Sequence, residues 1–545
     1  MALTDQHLID AGVRTGLINY NLLERVRLES RRQRLPLLNM IIAESRFPRS
    51  ALYRAVAEDR NLDFINLTHA PVAEDVLKKI PVTLIRRKQL LPITVDGSTR
   101  LAVSDPDDRA SIDSIFRLIG HALPIVMTDQ QAIQHKIEQT LPNKQKETSN
   151  DDTDLVSLLD SILSEAFLNR SSDIHLVTEE AGLRVRLRVD GRLSDYPLMA
   201  DANTAAGLVS RVKVLSGLDI AEQRMPQDGG FSYHLAPPID REFNIRVATA
   251  PTRLGERITM RLLGQEASGI SLEDLGMMGK DLERFNKAIR NPYGMILLTG
   301  PTGSGKSTTL FAALQEINSP ELNIMTVENP IEYVMDGVSQ IQTGPKISFA
   351  DALRSLLRHD PDVLMVGEIR DQETADVAVK SAMTGHMVFS TLHTNNAVSA
   401  VTRLIDIGCE PFLIGSTMTA VIAQRLVRRL CQHCRKARPA TEEDKQELAI
   451  HDDVDLYDSV GCAVCQGSGF NGRIGLFETL WFDERLSRLV ARGADEEEIE
   501  SVAATANNLQ FMWEDGCNKV LSGMTTLDEV RDVALPKTRE TVGVS

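Results

Sequence analysis

The stretch that decides the fold is Gly300-Pro301-Thr302-Gly303-Ser304-Gly305-Lys306-Ser307. It follows the apolar run Met295-Ile296-Leu297-Leu298 and precedes a helix-forming stretch, Thr308 to Glu316. Glycines and a Lys-Ser pair at this spacing, between a strand and a helix, fit a phosphate-binding P-loop. The glycines let the backbone wrap phosphate groups, and the N–H groups at the helix start point at them. Lys306 adds positive charge, and the Ser307 hydroxyl is the expected ligand of magnesium (Mg2+). Residues Gly300 to Thr308 are therefore the expected ATP site, and the expected fold class is α/β.

A nucleotide site of this kind needs a second strand ending in a carboxylate, to hold magnesium and orient water. Val363-Leu364-Met365-Val366-Gly367-Glu368 supplies it. A lone carboxylate after a strand is ordinarily a surface residue. Here the loop upstream and the continuation Ile369-Arg370-Asp371 make Glu368 the candidate general base.

Working outward, 545 residues are too many for one core and enough for three or four domains. With 42% hydrophobic and 25% charged residues the composition is that of an ordinary globular protein. The start Met-Ala-Leu-Thr-Asp-Gln has no basic and apolar leader, and no run of about 18 apolar residues occurs, so a cytoplasmic location is expected. The net charge of −16 disfavours broad nucleic-acid binding, although a local basic channel remains compatible with it.

Residues 1–62 read as a helical module, with Leu22-Leu23-Val26-Leu28 and Leu37-Leu38-Ile41-Ile42 at helical spacing and a basic cluster at Arg31, Arg32 and Arg34. Residues 63–140 read as a small α/β module with strands at Leu90 to Val95 and Leu101 to Val103, punctuated by Asp96-Gly97 and Asp105-Pro106. The polar stretch 141–153 reads as a linker. In the α/β domain expected at 154–265, Leu183-Arg184-Val185-Arg186-Leu187-Arg188-Val189 alternates between an apolar face and an arginine face, and Asp190-Gly191 closes a hairpin. Arg211, Arg224, Arg246, Arg257 and Arg261 follow as candidates for phosphate contacts. The nucleotide-binding domain is expected over 278–500, with a C-terminal helical segment at 501–545.

Cys431-Gln432-His433-Cys434 and Cys462-Ala463-Val464-Cys465 form two Cys-x-x-Cys pairs. Four thiolates in two turns suit tetrahedral zinc (Zn2+) with no open position, a structural role, in a subdomain at 430–466. Cys409 and Cys517 stand apart and read as buried small hydrophobes.

Three blocks together carry a family resemblance: the P-loop, the run from Asp360-Pro361-Asp362 through Asp371, and Thr384-Gly385-His386 to Ser390-Thr391-Leu392-His393-Thr394-Asn395. With them the chain resembles the assembly ATPases of type II secretion and type IV pilus systems over nearly its whole length. The resemblance implies a RecA-like motor preceded by a PAS-like domain, with N-terminal docking modules. It implies an acidic box at Thr326-Val327-Glu328-Asn329-Pro330-Ile331-Glu332-Tyr333, with functional Glu328 and Glu332 and with Asn329 where the family usually has aspartate. His386 and His393 match the family's histidine box, in which a histidine senses the γ-phosphate.

The resemblance further implies a homohexamer in which arginines reach a neighbour's nucleotide, with Arg211, Arg224, Arg246 and Arg257 as the candidates. The cysteine cluster and the segment Gly467 to Glu478 match extension-type members, since retraction motors usually lack the cluster. Residues 1–140 match the region by which such motors dock from the cytoplasm on inner-membrane platform proteins. Some members bind cyclic-di-GMP there; here Arg34-Leu35-Pro36 and Ala57-Glu58-Asp59 depart from that pattern. The alternatives are a DNA-translocating or conjugation-type ring ATPase and a cyclic-di-GMP-responsive signalling ATPase.

Overall fold

The computed structural model describes residues 3–537 apart from 34–35, 46, 68–69, 81–84, 86–87, 141–150, 181, 201, 236–238, 265–269, 345, 463 and 466. Most of the expected linker and Arg34 of the basic cluster lie outside the described residues. The chain forms two units. The first holds Met1–Gln265 with Cys431–Cys434 and Val460–Asn471, and the second holds Glu266–Leu430, Arg435–Ser459 and Gly472–Ser545. No described helix is long and apolar enough to cross a membrane.

The first unit opens with helices Asp5–Arg14, Tyr20–Gln33, Leu37–Ser45 and Arg49–Asp59. Their apolar positions recur every three or four residues, so Leu23 and Val26, then Leu38, Ile41 and Ile42, are buried on one side. Strands β1 (Leu90–Val95) and β2 (Ser98–Val103) pair antiparallel, and β3 (Ile125–Met127) joins β2 in parallel after the helix Arg109–Ile119.

From Asp151 the chain is helical to Leu168 and then lays down β4 (Asp173–Glu179), β5 (Gly182–Val189), β6 (Arg192–Ala200), β7 (Gln227–Leu235), β8 (Arg241–Thr252) and β9 (Gly255–Leu263). They form an antiparallel sheet of order β6-β5-β4-β9-β8-β7. Asp190 (φ 48°) and Gly191 (φ 84°) make the β5–β6 turn, both in the left-handed region that a two-residue hairpin loop demands. Strand alternation sends Leu183, Val185, Leu187, Ile245, Val247, Ile258 and Met260 to one buried face, packed by the helix Ala202–Leu215. Arg184, Arg186, Arg188, Arg246, Arg257 and Arg261 take the other face.

In the second unit the strands are β10 (Gly294–Thr299), β11 (Ile324–Glu328), β12 (Ser339–Gln342), β13 (Val363–Val366), β14 (Met387–Leu392), β15 (Met418–Leu430), β16 (Lys436–Pro439), β17 (Asp455–Asp458), β18 (Phe470–Trp481) and β19 (Leu509–Gln510). Eight of them build one sheet, β12-β11-β13-β14-β10-β15-β18-β19, while β16 and β17 form a separate ribbon. The pairings from β12 through β15 are parallel. The strands β10, β13 and β14 are wholly buried and largely apolar, with Thr299, Ser390 and Thr391 as their only hydroxyl residues, as a parallel sheet with both faces covered requires. This is the α/β fold expected from the P-loop and the RecA-like architecture that the family resemblance implies.

Candidate active site

Parallel strands end on the same edge, and the register makes those ends level. Thr299 lies opposite Leu392, Val366 opposite Ser390, and Val327 opposite Val366. The P-loop leaves β10, His393 leaves β14, Glu368 follows β13, and Glu328 ends β11. One edge therefore gathers the residues that the sequence supplied from four separate stretches, at the carboxyl ends where α/β sheets bind ligands.

The loop itself is held from β15. Gly300 has φ 143°, and a Cβ there would lie 2.4 Å from the Gln424 carbonyl oxygen. Gly305 has φ 89°, and its Cβ would meet Gln424 Nε2 at 2.8 Å. Both positions combine a left-handed backbone with a close approach, so only glycine fits. Thr309 Oγ1 donates to Gln424 Oε1 at 2.9 Å, tying the helix Lys306–Ile317 to the same strand. Lys306 Nζ donates to the Gly300 and Pro301 carbonyls at 2.8 and 3.1 Å. Burial pushes its ammonium down to about 8, partly offset by the charge of Glu368. Ser304 Oγ, Gln424 Nε2 and Arg425 Nη1 are buried around this loop without a hydrogen-bond partner among the described residues. Unpaired buried donors are costly; here Ser304 lies in the loop itself, while Gln424 and Arg425 approach it from β15.

Glu368 is set by the junction of β13 and β14. Ser390 Oγ donates to the Val366 carbonyl at 2.8 Å, Thr391 Oγ1 to the Gly367 carbonyl at 2.7 Å, and the Ile369 N–H to the Thr391 carbonyl at 3.0 Å. The Glu368 carboxylate takes Arg370 Nη2 at 2.5 Å and lies 3.4 Å from His393 Nε2. This carboxylate raises the Arg370 guanidinium above its ordinary value, chiefly through their hydrogen bond. Glu328 is buried, and its Oε1 accepts from Thr326 Oγ1 at 2.6 Å and Gln340 Nε2 at 2.9 Å. Glu332 is exposed but close enough for its charge to act on Lys306.

His386 is elsewhere. It precedes β14 at the amino end of that strand, its Nδ1 2.9 Å from the Ser381 carbonyl oxygen, about 20 Å along a six-residue strand from His393. Of the two histidines of the matched block, only His393 joins the edge. Thr299 Oγ1 lies 2.7 Å from Thr394 Oγ1 and fixes the turn after His393. The Glu478 carboxylate of β18 accepts the Ala397 N–H at 2.7 Å, at the start of the helix Ala397–Ile407. Gln424 and Arg425 carry no sequence signal of their own, and in the sequence Glu478 is marked only as the end of a matched segment. They become visible through strand order.

The four candidate arginines fall into different layers of the first unit. Arg246 and Arg257 stand on the solvent face of the six-stranded sheet, with Arg184, Arg186, Arg188 and Arg261. Asp173 takes Arg261 at 2.9 Å and lies 3.7 Å from Arg188. His175 Nδ1 lies 3.3 Å from Arg257 Nη2 and therefore accepts from it. Burial first, and Arg257 second, hold His175 below the ordinary histidine range. Arg224 is exposed in the loop before β7. Arg211 belongs to the helix on the opposite, buried face, within electrostatic reach of Tyr233, and its Nε is buried without a partner.

The four cysteines Cys431, Cys434, Cys462 and Cys465 converge. Their sulfurs all lie within 4.8 Å of one another, with Cys431–Cys462 at 3.9 Å, Cys434–Cys465 at 3.7 Å and Cys462–Cys465 at 3.8 Å. Sulfurs placed about 2.3 Å from a tetrahedral zinc are about 3.8 Å apart, so the donor set fits that metal. The N–H groups of Gly461, Cys462 and Gly469 donate to the sulfurs of Cys434, Cys465 and Cys465 at 3.2, 3.1 and 3.2 Å. Hydrogen bonds, the largest from the Cys462 thiol, pull Cys465 down to about 4. Arg54 lies against Gly467; burial lowers its guanidinium while the charges of Cys465 and Cys462 oppose that shift. Cys409 and Cys517 are buried, as expected.

Comparison with known proteins agrees with this geometry. Residues 148–532 match the family described as type II/IV secretion system protein, and residues 60–147 match the MshEN domain. The chain is 47% identical over 390 residues to the type II secretion system ATPase E of Vibrio cholerae, covering 71% of this chain and 76% of that one. It is 35% identical over 558 residues to the type IV pilus assembly ATPase PilB of Myxococcus xanthus, covering 95% and 97%. The crystal structure of the Legionella pneumophila ATPase DotB shares the fold, with a TM-score of 0.53 at 22% identity over 72% of this chain and 98% of that one. A P-loop, a level acidic edge and these relatives together place the chain in the type II/IV secretion system protein family, as an ATP-hydrolysing member.

Proposed function

We propose that this chain powers assembly of a pilin-class filament, either a type IV pilus or the pseudopilus of type II secretion, by hydrolysing ATP in a homohexameric ring docked from the cytoplasm on an inner-membrane platform. The observation that carries this reading is the meeting of Lys306, Glu368, His393 and Glu328 at one sheet edge. The loop N–H groups and Lys306 hold the phosphates; Ser307 and the acidic edge would hold magnesium, which would supply positive charge to offset the negative charge developing on the phosphoryl oxygens. Glu368 accepts the proton of the attacking water, with Arg370 and His393 orienting its carboxylate. Arg224, Arg246 and Arg257 serve a neighbouring copy's nucleotide in trans; Arg211, on the other face of its sheet, serves the interior of its own domain. The cysteines hold a structural zinc. The net charge of −16 weighs against a DNA-moving ring.

A second reading, control by cyclic-di-GMP at the N-terminal region, is favoured by the MshEN match over 60–147. Titration of the full chain with the dinucleotide, followed by calorimetry, decides it. For the main reading, a deletion strain is complemented with the wild-type chain and with Lys306→Ala, scoring surface filaments and secreted protein. Filaments alone assign a pilus motor and secretion alone a secretion motor; equal function of the Lys306→Ala chain sinks the motor reading.

A further inference from the structure

The segment between the helix Ala202–Leu215 and β7 exposes Arg224 and Met225, whose backbone N–H groups are both hydrogen-bonded. Glu222 Oε1 accepts from the Arg224 N–H at 2.5 Å and the Met225 N–H at 3.1 Å. Asp219 Oδ1 accepts from the Ala221 N–H at 2.8 Å, and the Gln227 side-chain amide donates to the Asp219 and Glu222 carbonyls, both at 3.0 Å. These bonds give the segment a shape. They also tie it to Gln227, the first residue of β7.

A second tie, and the buried one, comes from Lys213, which is 1% exposed on the helix. Its Nζ donates to the Glu222 carbonyl at 2.6 Å and to both carboxylate oxygens of Glu256 at 2.9 Å. Glu256 is itself buried near the start of β9, one residue before Arg257. A buried ion pair is a poor source of stability, because taking both charges out of water costs about what their attraction returns, and an apolar pair of the same volume serves as well. An apolar pair lacks the donor that reaches the Glu222 carbonyl. What the charged pair adds is direction: it fixes the backbone two residues ahead of Arg224 against the strand that carries Arg257.

We infer that Lys213 and Glu256 are positioning residues, which hold the 219–226 segment so that Arg224 is presented to a neighbouring copy's nucleotide in one orientation. The inference rests on the reading of Arg224 as an arginine that acts in trans. An arginine delivered across an interface contributes to rate only when its geometry is set in advance, and a loop without regular structure needs a fixed point to achieve that.

The test uses the full-length chain under the conditions of its ATPase assay. Lys213→Met alone leaves a buried carboxylate unpaired and invites unfolding, so the informative variant is Lys213→Met with Glu256→Leu. Its melting temperature and KM for ATP are expected to stay near wild type, because the P-loop is untouched, while kcat falls by about tenfold or more. Hydrogen exchange at the Arg224 and Met225 amides is expected to accelerate without change in β8 and β9. Adding Arg224→Ala is expected to cause no further loss, as befits residues that act through one another. Wild-type kcat in the double variant, with Arg224→Ala inactive, overturns the inference alone, and so do additive losses. Wild-type kcat in Arg224→Ala overturns the trans reading and the inference with it.

Discussion

The cysteine cluster and the phosphate cradle are both sites made of converging donors, yet they are built in opposite ways. The cluster draws four sulfurs from two short turns, already spaced as a metal tetrahedron needs, with backbone N–H groups on two of the sulfurs. The cradle draws from five strands and holds its donors in waiting. Lys306 is turned onto carbonyls of its own loop, while Ser304, Gln424 and Arg425 each keep a buried donor unpartnered among the described residues. A permanent resident is served by a saturated site, and a substrate that must come and go by an unsaturated one.

That contrast is broken most directly by chelating the proposed zinc. Structural zinc contributes on the order of 10 kcal/mol to folding, so chelator treatment of the full chain should expose residues 431–471 to protease while ATP binding persists. An apo chain with unchanged protease resistance breaks the contrast. Next in size, Glu368→Gln should lower turnover by about 10²–10⁴-fold with nucleotide affinity retained, as read by single-turnover hydrolysis beside equilibrium binding.

The pH response of Lys306 sharpens the comparison. Its ammonium titrates near 10.5 unfolded and about 8 in the folded chain, so the unfolded state holds more protons between those values. This group's contribution to stability therefore rises from about pH 8 upward as the buried charge is lost, while ATP affinity should fall by up to about tenfold per unit. Binding isotherms from pH 7 to 10 check it, and a flat profile refutes it. Smallest, Gly305→Ala places a Cβ in the left-handed region at a cost of about 1–2 kcal/mol; its KM for ATP should rise by roughly tenfold with an unchanged kcat.

Much of this was legible in the chain. A P-loop declares itself because its glycines, lysine and serine must be contiguous, and Cys-x-x-Cys does so for the same reason. The Asp190-Gly191 hairpin was readable from the backbone geometry that its residues permit. Strand order was not readable, since nothing local says that β14 lies between the strands that deliver Lys306 and Glu368. Hence His386 and His393 looked equivalent, although a full strand separates them. Arg211 and Arg246 looked alike for a similar reason: helix and strand periodicities place them on opposite faces of one sheet. Gln424 and the Lys213–Glu256 pair gave no signal, because their roles lie in partners more than 40 residues distant.

The strands on either side of the cysteine-bearing excursion are neighbours in the sheet, β15 ending at Leu430 and β18 beginning at Phe470. The Cys431 N–H donates to the Gly469 carbonyl at 3.0 Å and closes the excursion at its base. Closed at its base, it is still not a free appendage: Leu448 and Leu456 are buried in the second unit's core and Glu447 pairs with Arg531. An insertion that joins two adjacent strands and also feeds the core behaves as a keystone, which can be lengthened at its exposed turns but not cut out without opening the surface beneath it.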